Sequence, residues 1–219
     1  VTLSQRWPDA RIEGLDSSAE MIDSASSLPE ARSGKVAFAV GDVSTWTPPE
    51  DVDVIVGNAV LQWVPGHRQL LRSWAAAVRT GAWLAFQVPG NFEAPSHQLL
   101  RELSASPEWA GRIEGLRDGA AVWEPAEYAG DLLEAGCDVD VWETTYLHLL
   151  PVRPDGPHPV LAWMEGTALR PVRAALADRP ADWSRFRDQL QDRLAKAYPV
   201  RRDVVPFPFR RIFLVAHKP

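Results

Sequence analysis

Short apolar runs of strand length recur along this chain, and stretches with helical spacing lie between them. Residues 11–16, 36–40, 52–57 and 83–88 are such runs, stopping at Asp16, Gly41-Asp42, Gly57-Asn58 and Pro89-Gly90. Between them, Met21, Ile22 and Ala25, then Leu70, Leu71, Trp74, Ala75 and Val78, fall at helical period. This alternation predicts an α/β fold on a mainly parallel sheet with helices on both faces. The nearly continuous apolar run at 52–57 suits a strand covered on both sides.

Local signals set the expected ends. Ser17 and Glu20 have the spacing of a capping box, and Pro29 is expected to close the helix they open. Gly81 is the expected cap of the second helix, which starts near Gly66. Pro125 opens another helix, with Tyr128, Leu132 and Leu133 as its apolar positions and Gly136 past its end. A long strand is expected over 139–149 and a last one over 211–217. An amphipathic helix from about Pro180 carries Trp183, Phe186, Leu190, Leu194 and Ala197 on one stripe. Residues 1–219 read as one domain, with 91–124 and 151–206 as insertions capping a substrate site. Residues 1–6 read as a helix already in progress.

Hydrophobic residues make up 46% of the chain, enough to fill a core. A net charge of -6 argues against nonspecific binding to nucleic acid or an anionic membrane. The single cysteine, Cys137, excludes an internal disulfide and a cysteine-based metal cluster, and fits a cytoplasmic home. No metal site is expected. No apolar run approaches the roughly 20 residues that a membrane span needs. Nothing in the sequence sets the oligomeric state, and a monomer is the working expectation. Core packing is the expected place of Trp74, Trp83 and Trp183.

In an open α/β sheet, ligands bind at the carboxyl ends of the strands. Asp16, Asp42 and Asn58 stand at three consecutive ends. One acid there can accept hydrogen bonds from two ribose hydroxyls, and the next can receive the amino group of a purine. Met21 can pack on a purine face. Each residue also has an ordinary structural reading. Asp16 can be a favourable charge at a helix N-terminus, and Asp42 a turn residue after Gly41. No glycine-rich phosphate loop occurs in the chain.

Longer segments carry a resemblance. Leu15-Asp16-Ser17-Ser18-Ala19-Glu20-Met21-Ile22 resembles the second motif of class I methyltransferases, and Gly41-Asp42-Val43-Ser44-Thr45-Trp46 their third. Asn58-Ala59-Val60-Leu61-Gln62-Trp63-Val64 resembles the segment that meets the methionine end of their cofactor. Gln87-Val88-Pro89-Gly90-Asn91, Pro95-Ser96-His97, Thr144-Thr145-Tyr146, Gly166-Thr167-Ala168-Leu169-Arg170-Pro171 and Arg211-Ile212-Phe213-Leu214-Val215-Ala216 resemble the trans-aconitate 2-methyltransferases. That resemblance runs over residues 6–217. It implies a Rossmann-like sheet of seven strands with the last one antiparallel. The family's first strand and glycine loop are expected before Val1, outside this chain.

The resemblance implies S-adenosylmethionine as cofactor, held by Asp16, Ser17, Met21, Asp42, Val43 and Asn58. It implies methyl ester formation on a carboxylate of trans-aconitate or a similar small polycarboxylate. A carboxylate is ionised at neutral pH, so no catalytic base is expected. Arg170 and Arg211 are the candidate clamps for the acid. Gln62, Trp63, Gln87, Asn91, His97 and Tyr146 are candidates for its remaining contacts. Structural readings stand beside these: Arg170 can flank a helix start, Arg211 can be a strand-edge charge, and Tyr146 can be a core residue. A methyltransferase acting on another small metabolite and a noncatalytic binding module are the alternative functions.

Overall fold

The computed structural model describes residues 2–113 and 122–219. Its helices are α1 (Thr2–Arg6), α2 (Ala19–Ser26), α3 (Pro29–Arg32), α4 (His67–Ala77), α5 (Pro95–Ser104), α6 (Pro125–Glu134), α7 (Pro159–Glu165), α8 (Arg170–Ala175) and α9 (Pro180–Ala197). Its strands are β1 (Ile12–Asp16), β2 (Val36–Val40), β3 (Val54–Asn58), β4 (Trp83–Pro89), β5 (Asp138–Pro151) and β6 (Val204–His217). Proline occupies the first position of α3, α5, α6, α7 and α9, where its missing N–H costs nothing. Pro29 therefore does more than close α2, because it starts α3.

The strands form two sheets. β1 pairs in parallel with β2, and the other four run in the order β3-β4-β6-β5. β3 and β4 are parallel, whereas β6 lies antiparallel between β4 and β5. The described residues thus hold six of the seven strands that the resemblance implies.

Opposed residues of an antiparallel pair share a face. Leu84, Phe86 and Val88 of β4 therefore stand with Ala216, Leu214 and Ile212 of β6. On that face pack Leu71, Trp74 and Ala75 of α4 and Tyr128 and Leu132 of α6, completing the first core. Each such large side chain contributes about 1.5–3 kcal/mol by burial. Gly57 is required where Phe86 crosses β3, since a Cβ there would lie 2.5 Å from the ring. A second core joins Leu100 and Leu103 of α5 to Val160, Leu161 and Met164 of α7 and Phe186, Leu190 and Leu194 of α9. It closes on Val205 and Phe207, at the far end of the β5–β6 hairpin. Helices from both expected insertions thus form one cluster, although residues 114–121 of the first insertion lie outside the described residues.

Several local expectations are corrected. The N-cap of α2 is Ser18, not Ser17; its hydroxyl accepts from the Met21 amide. Met21 is 58% exposed, so α2 packs through Ile22 and Ala25, which are half-buried. α4 ends at Ala77 with Val78 as its cap, and Gly81 instead turns the chain into β4 at φ +86°. Leu133 and Ala197 face outward, each beside a buried neighbour on its helix. Trp74 is buried as expected, Trp183 is half-buried against the second core, and Trp83 is exposed, its ring packed against His217.

Candidate functional site

Two acids leave adjacent strand ends. Asp16 is opposite Val40 in the β1–β2 register, and its carbonyl accepts from Gly41, one residue before Asp42. Asp16 Oδ1 accepts the Ser18 amide at 2.8 Å, which fixes the carboxylate beside the start of α2. Asp42 Oδ1 accepts the Ser44 hydroxyl at 2.7 Å and the Ser44 amide at 2.8 Å. Those two bonds hold the Asp42 carboxyl below its ordinary pKa, so it stays an acceptor. In both acids Oδ2 has no donor among the described residues. Val43, next along, is half-buried against the first core, and Ser17 and Met21 are exposed beside Asp16.

The next strand end leads to a different cluster. Asn58 ends β3 opposite Gln87 of β4. Ala59 follows at φ +54°, a left-handed conformation that a residue with a Cβ adopts at a cost. Its amide donates to the Gln87 carbonyl and its own carbonyl receives Gln62 Nε2 at 2.7 Å. Gln62 is buried and Trp63 is 57% exposed, both in the 3-10 turn Leu61–Trp63. The segment's sequence did not mark Ala59; backbone geometry alone reveals it.

On the sheet face opposite the first core, Gln87, Arg211 and Tyr146 meet. Arg211 Nε donates to the Tyr146 hydroxyl and Arg211 Nη1 donates to Gln87 Oε1. The guanidinium also lies 5.3 Å from the Phe209 ring and 5.7 Å from the Tyr146 ring. A guanidinium only donates, so the Gln87 amide must turn its oxygen to Arg211. Gln87 Nε2 is then left buried without a partner among the described residues. The neighbouring Arg210 points to the other face, as the two-residue period requires, and pairs with Glu124 and Glu143.

The remaining candidates make other contacts. Asn91 is buried and doubly bonded to the Arg210 main chain, giving Nδ2 to its carbonyl at 3.2 Å and taking its N–H at 2.7 Å. It continues the β4–β6 ladder beyond Pro89. His97 packs on Phe92 and bonds Ser96 at 3.3 Å. Burial, helped by Arg101, depresses its pKa to about 4, so it is a neutral ring at pH 7. Arg170 is exposed at the first position of α8. Among the described residues no hydrogen bond or ring contact joins His97 or Arg170 to Arg211. His148, Trp163 and Phe209, absent from the sequence-based candidates, line the Arg211 cluster. The period-two step from Tyr146 was the signal that could have found His148.

Comparisons with known proteins give this geometry a family. Residues 1–81 match the model of a methyltransferase domain. The trans-aconitate 2-methyltransferase of Mycobacterium sp. (strain KMS) is 50% identical over 219 residues, covering 99% of this chain and 82% of that protein. The chain belongs to the trans-aconitate 2-methyltransferase family. The Streptomyces coelicolor member is 49% identical over 222 residues, covering 100% of this chain and 72% of that protein. Among solved structures, YcgJ from Bacillus subtilis has a TM-score of 0.55 at 14% identity, covering 95% of this chain and 82% of that one. A putative methyltransferase from Bacillus halodurans also has a TM-score of 0.55, at 12% identity, covering 96% and 84%. These two likenesses speak for the Rossmann-like fold.

As a class I methyltransferase the enzyme uses S-adenosylmethionine. The exposed acids at the ends of β1 and β2 have the chemistry to receive the hydroxyl and amino groups of a nucleoside, because each offers a carboxylate oxygen with no donor among the described residues. Among the described residues no group of side chains could hold a metal ion, and no helix is long and apolar enough to cross a membrane.

Proposed function

We propose that this protein transfers a methyl group to a carboxylate of trans-aconitate, or of a closely similar small polycarboxylic acid, giving a monomethyl ester. The observation that carries this reading is Arg211, aimed by Tyr146 and Gln87 and set on two aromatic rings. Rigid seating of a guanidinium in a half-buried site suits recognition of a carboxylate. Asp16, Ser17, Met21, Asp42, Val43 and Asn58 hold the cofactor in this reading; Gln62, Trp63, Gln87, Tyr146 and Arg211 border the acid. Helices α5 and α7–α9 cap the site.

S-adenosylmethionine, when bound, supplies a methyl group already activated on a sulfonium. The chain itself has three tasks. Arg211 and Gln87 bind and orient the acid, which arrives ionised and needs no base. Fixing its oxygen in line with the carbon–sulfur bond is worth up to about 7–11 kcal/mol. The aromatic walls exclude water, which favours a reaction in which opposite charges cancel. With the cofactor held by the acids at the ends of β1 and β2, the methyl group would pass to the carboxylate oxygen that Arg211 and Gln87 present, and sulfur would keep the bonding electron pair.

Incubation with methyl-labelled cofactor and a panel of small acids tests this reading, with mass spectrometry of the products. A trans-aconitate monomethyl ester is expected, cleaved by mild base. Label on a nitrogen or an alcohol, or no label on any acid, removes the reading.

A further inference from the structure

His148 is the polar group of this site that the mechanism leaves without a task. It projects from β5 on the same face as Tyr146, opposite Phe207 in the hairpin register. Its ring lies 4.8 Å from that of Trp163, 5.0 Å from Tyr146 and 5.5 Å from Phe209. Its Nε2 is buried and bonds no described residue. A nitrogen in that position is unfavourable unless something satisfies it. Gln87 Nε2 is in the same condition on the β4 side. Two unsatisfied nitrogens thus stand on either side of Arg211.

Their spacing has a chemical meaning. Arg211 is opposite Thr144, four residues before His148 on β5, so the two stations are ~13 Å apart at the backbone. The Arg211 side chain leans over Tyr146 and Phe209, the rings that flank His148, and shortens this gap. A ligand with one carboxylate satisfies Arg211 alone. A short acid with carboxylates at both ends satisfies Arg211 and His148 together.

The geometry points to His148 as the specificity-determining anchor for a second carboxylate, with its Nε2 donating to the end of the acid remote from Arg211. Trp163, brought by α7 from the helical cap, covers the carbon chain between the two ends. This rests on the polycarboxylate reading above and adds the residue that selects polycarboxylates over acids with fewer charges. One alternative is a purely packing role for the imidazole in the aromatic cluster.

The test is calorimetric titration of the whole chain and its variants with trans-aconitate, and with the dicarboxylates obtained by deleting one carboxyl group at a time, alongside the methyl-transfer assay. His148→Phe keeps the ring and removes the donor; His148→Gln keeps a donor. His148→Phe is expected to raise the Kd for the tricarboxylate on the order of ten- to a hundredfold. It should leave the Kd unchanged for the dicarboxylate lacking the group His148 holds, and leave cofactor affinity intact. His148→Gln should recover part of the loss. An equal loss for every acid, or no loss for any, overturns the anchor in favour of packing. If wild type methylates trans-aconitate while His148→Phe behaves identically, the anchor falls and the function stands. If wild type binds the acids with this selectivity but transfers no methyl group, the anchor stands and the reaction falls. If wild type binds none of them, both fall.

Discussion

Replacing Arg211 separates binding from chemistry. A guanidinium has five N–H donors. Arg211 uses one on Tyr146 and one on Gln87, and five minus two leaves three for an acid. A bidentate carboxylate takes two of them. Charge-assisted bonds of this kind contribute about 1.5–3 kcal/mol each, so even one of them corresponds to a factor of about 10–150. Arg211→Met keeps the stem over Phe209 and removes every donor, and KM for the acid should rise at least tenfold. Arg211→Lys keeps the charge without the planar fork and should fall between. Stability should drop by only about 1–2 kcal/mol, because a half-buried site lets water reach Tyr146 and Gln87. The behaviour of kcat identifies the carboxylate held. If Arg211 grips a carboxylate that does not react, its hold is equal in ground and transition states and kcat stays constant. If it grips the reacting one, it also aims the attacking oxygen, and kcat should fall as KM rises. Steady-state kinetics at saturating cofactor, with thermal unfolding as a control, reads both numbers. An unchanged KM in Arg211→Met would refute the assignment of this cluster to the acid.

Three further perturbations address other parts of the molecule. Asp16→Ala should raise the cofactor Kd and leave the acid KM alone; Asp16→Asn should keep the bond to the Ser18 amide and still weaken the cofactor, and wild-type affinity in both variants would reduce Asp16 to a favourable charge beside the start of α2. Tyr128→Phe should cost about 1–3 kcal/mol in denaturant unfolding with activity retained, because His67 Nε2 loses its 2.8 Å partner inside the first core; an unchanged midpoint would show that water replaces the hydroxyl. The His97 pKa is depressed from 6.5 to about 4, so between those values the unfolded chain binds the proton and the native chain does not. Stability should therefore fall as pH drops through that window, by about 3 kcal/mol from this residue, and His97→Phe should flatten that part of the unfolding profile.

Much of the sheet was legible because its strands obey local rules. β2 matches the apolar run at 36–40, and the prolines at 125 and 180 open the helices they announce. The acids at the ends of β1 and β2 were equally plain, since a strand end needs only a run and a stop. The candidates for the acid were harder to read, because they depend on contacts across the sheet. Asn91 and Arg211 look alike as polar residues near strand ends. Only the β4–β6 register shows that one serves the ladder and the other faces the site.

The far end of β6 shows why that register was hidden. The expected strand began at Arg211, yet β6 runs from Val204 and includes Pro206 and Pro208. Proline inside an interior strand removes a ladder bond and argues against the assignment. Arg210 resolves the conflict. Its N–H and carbonyl bond Asn91 and Gly90, so residues of its parity turn their main chain toward β4. Pro206 and Pro208 have that parity, but β4 pairs with β6 only as far as Arg211. Their missing donors therefore point where no strand remains, while β5 continues to pair on the other side as far as Val204. The extension carries Phe207 and Phe209 to the second core and gives β5 the partner that holds Tyr146 and His148 on the Arg211 face. Two residues that locally forbid an interior strand are thus compatible with the hairpin on which the proposed acid site is built.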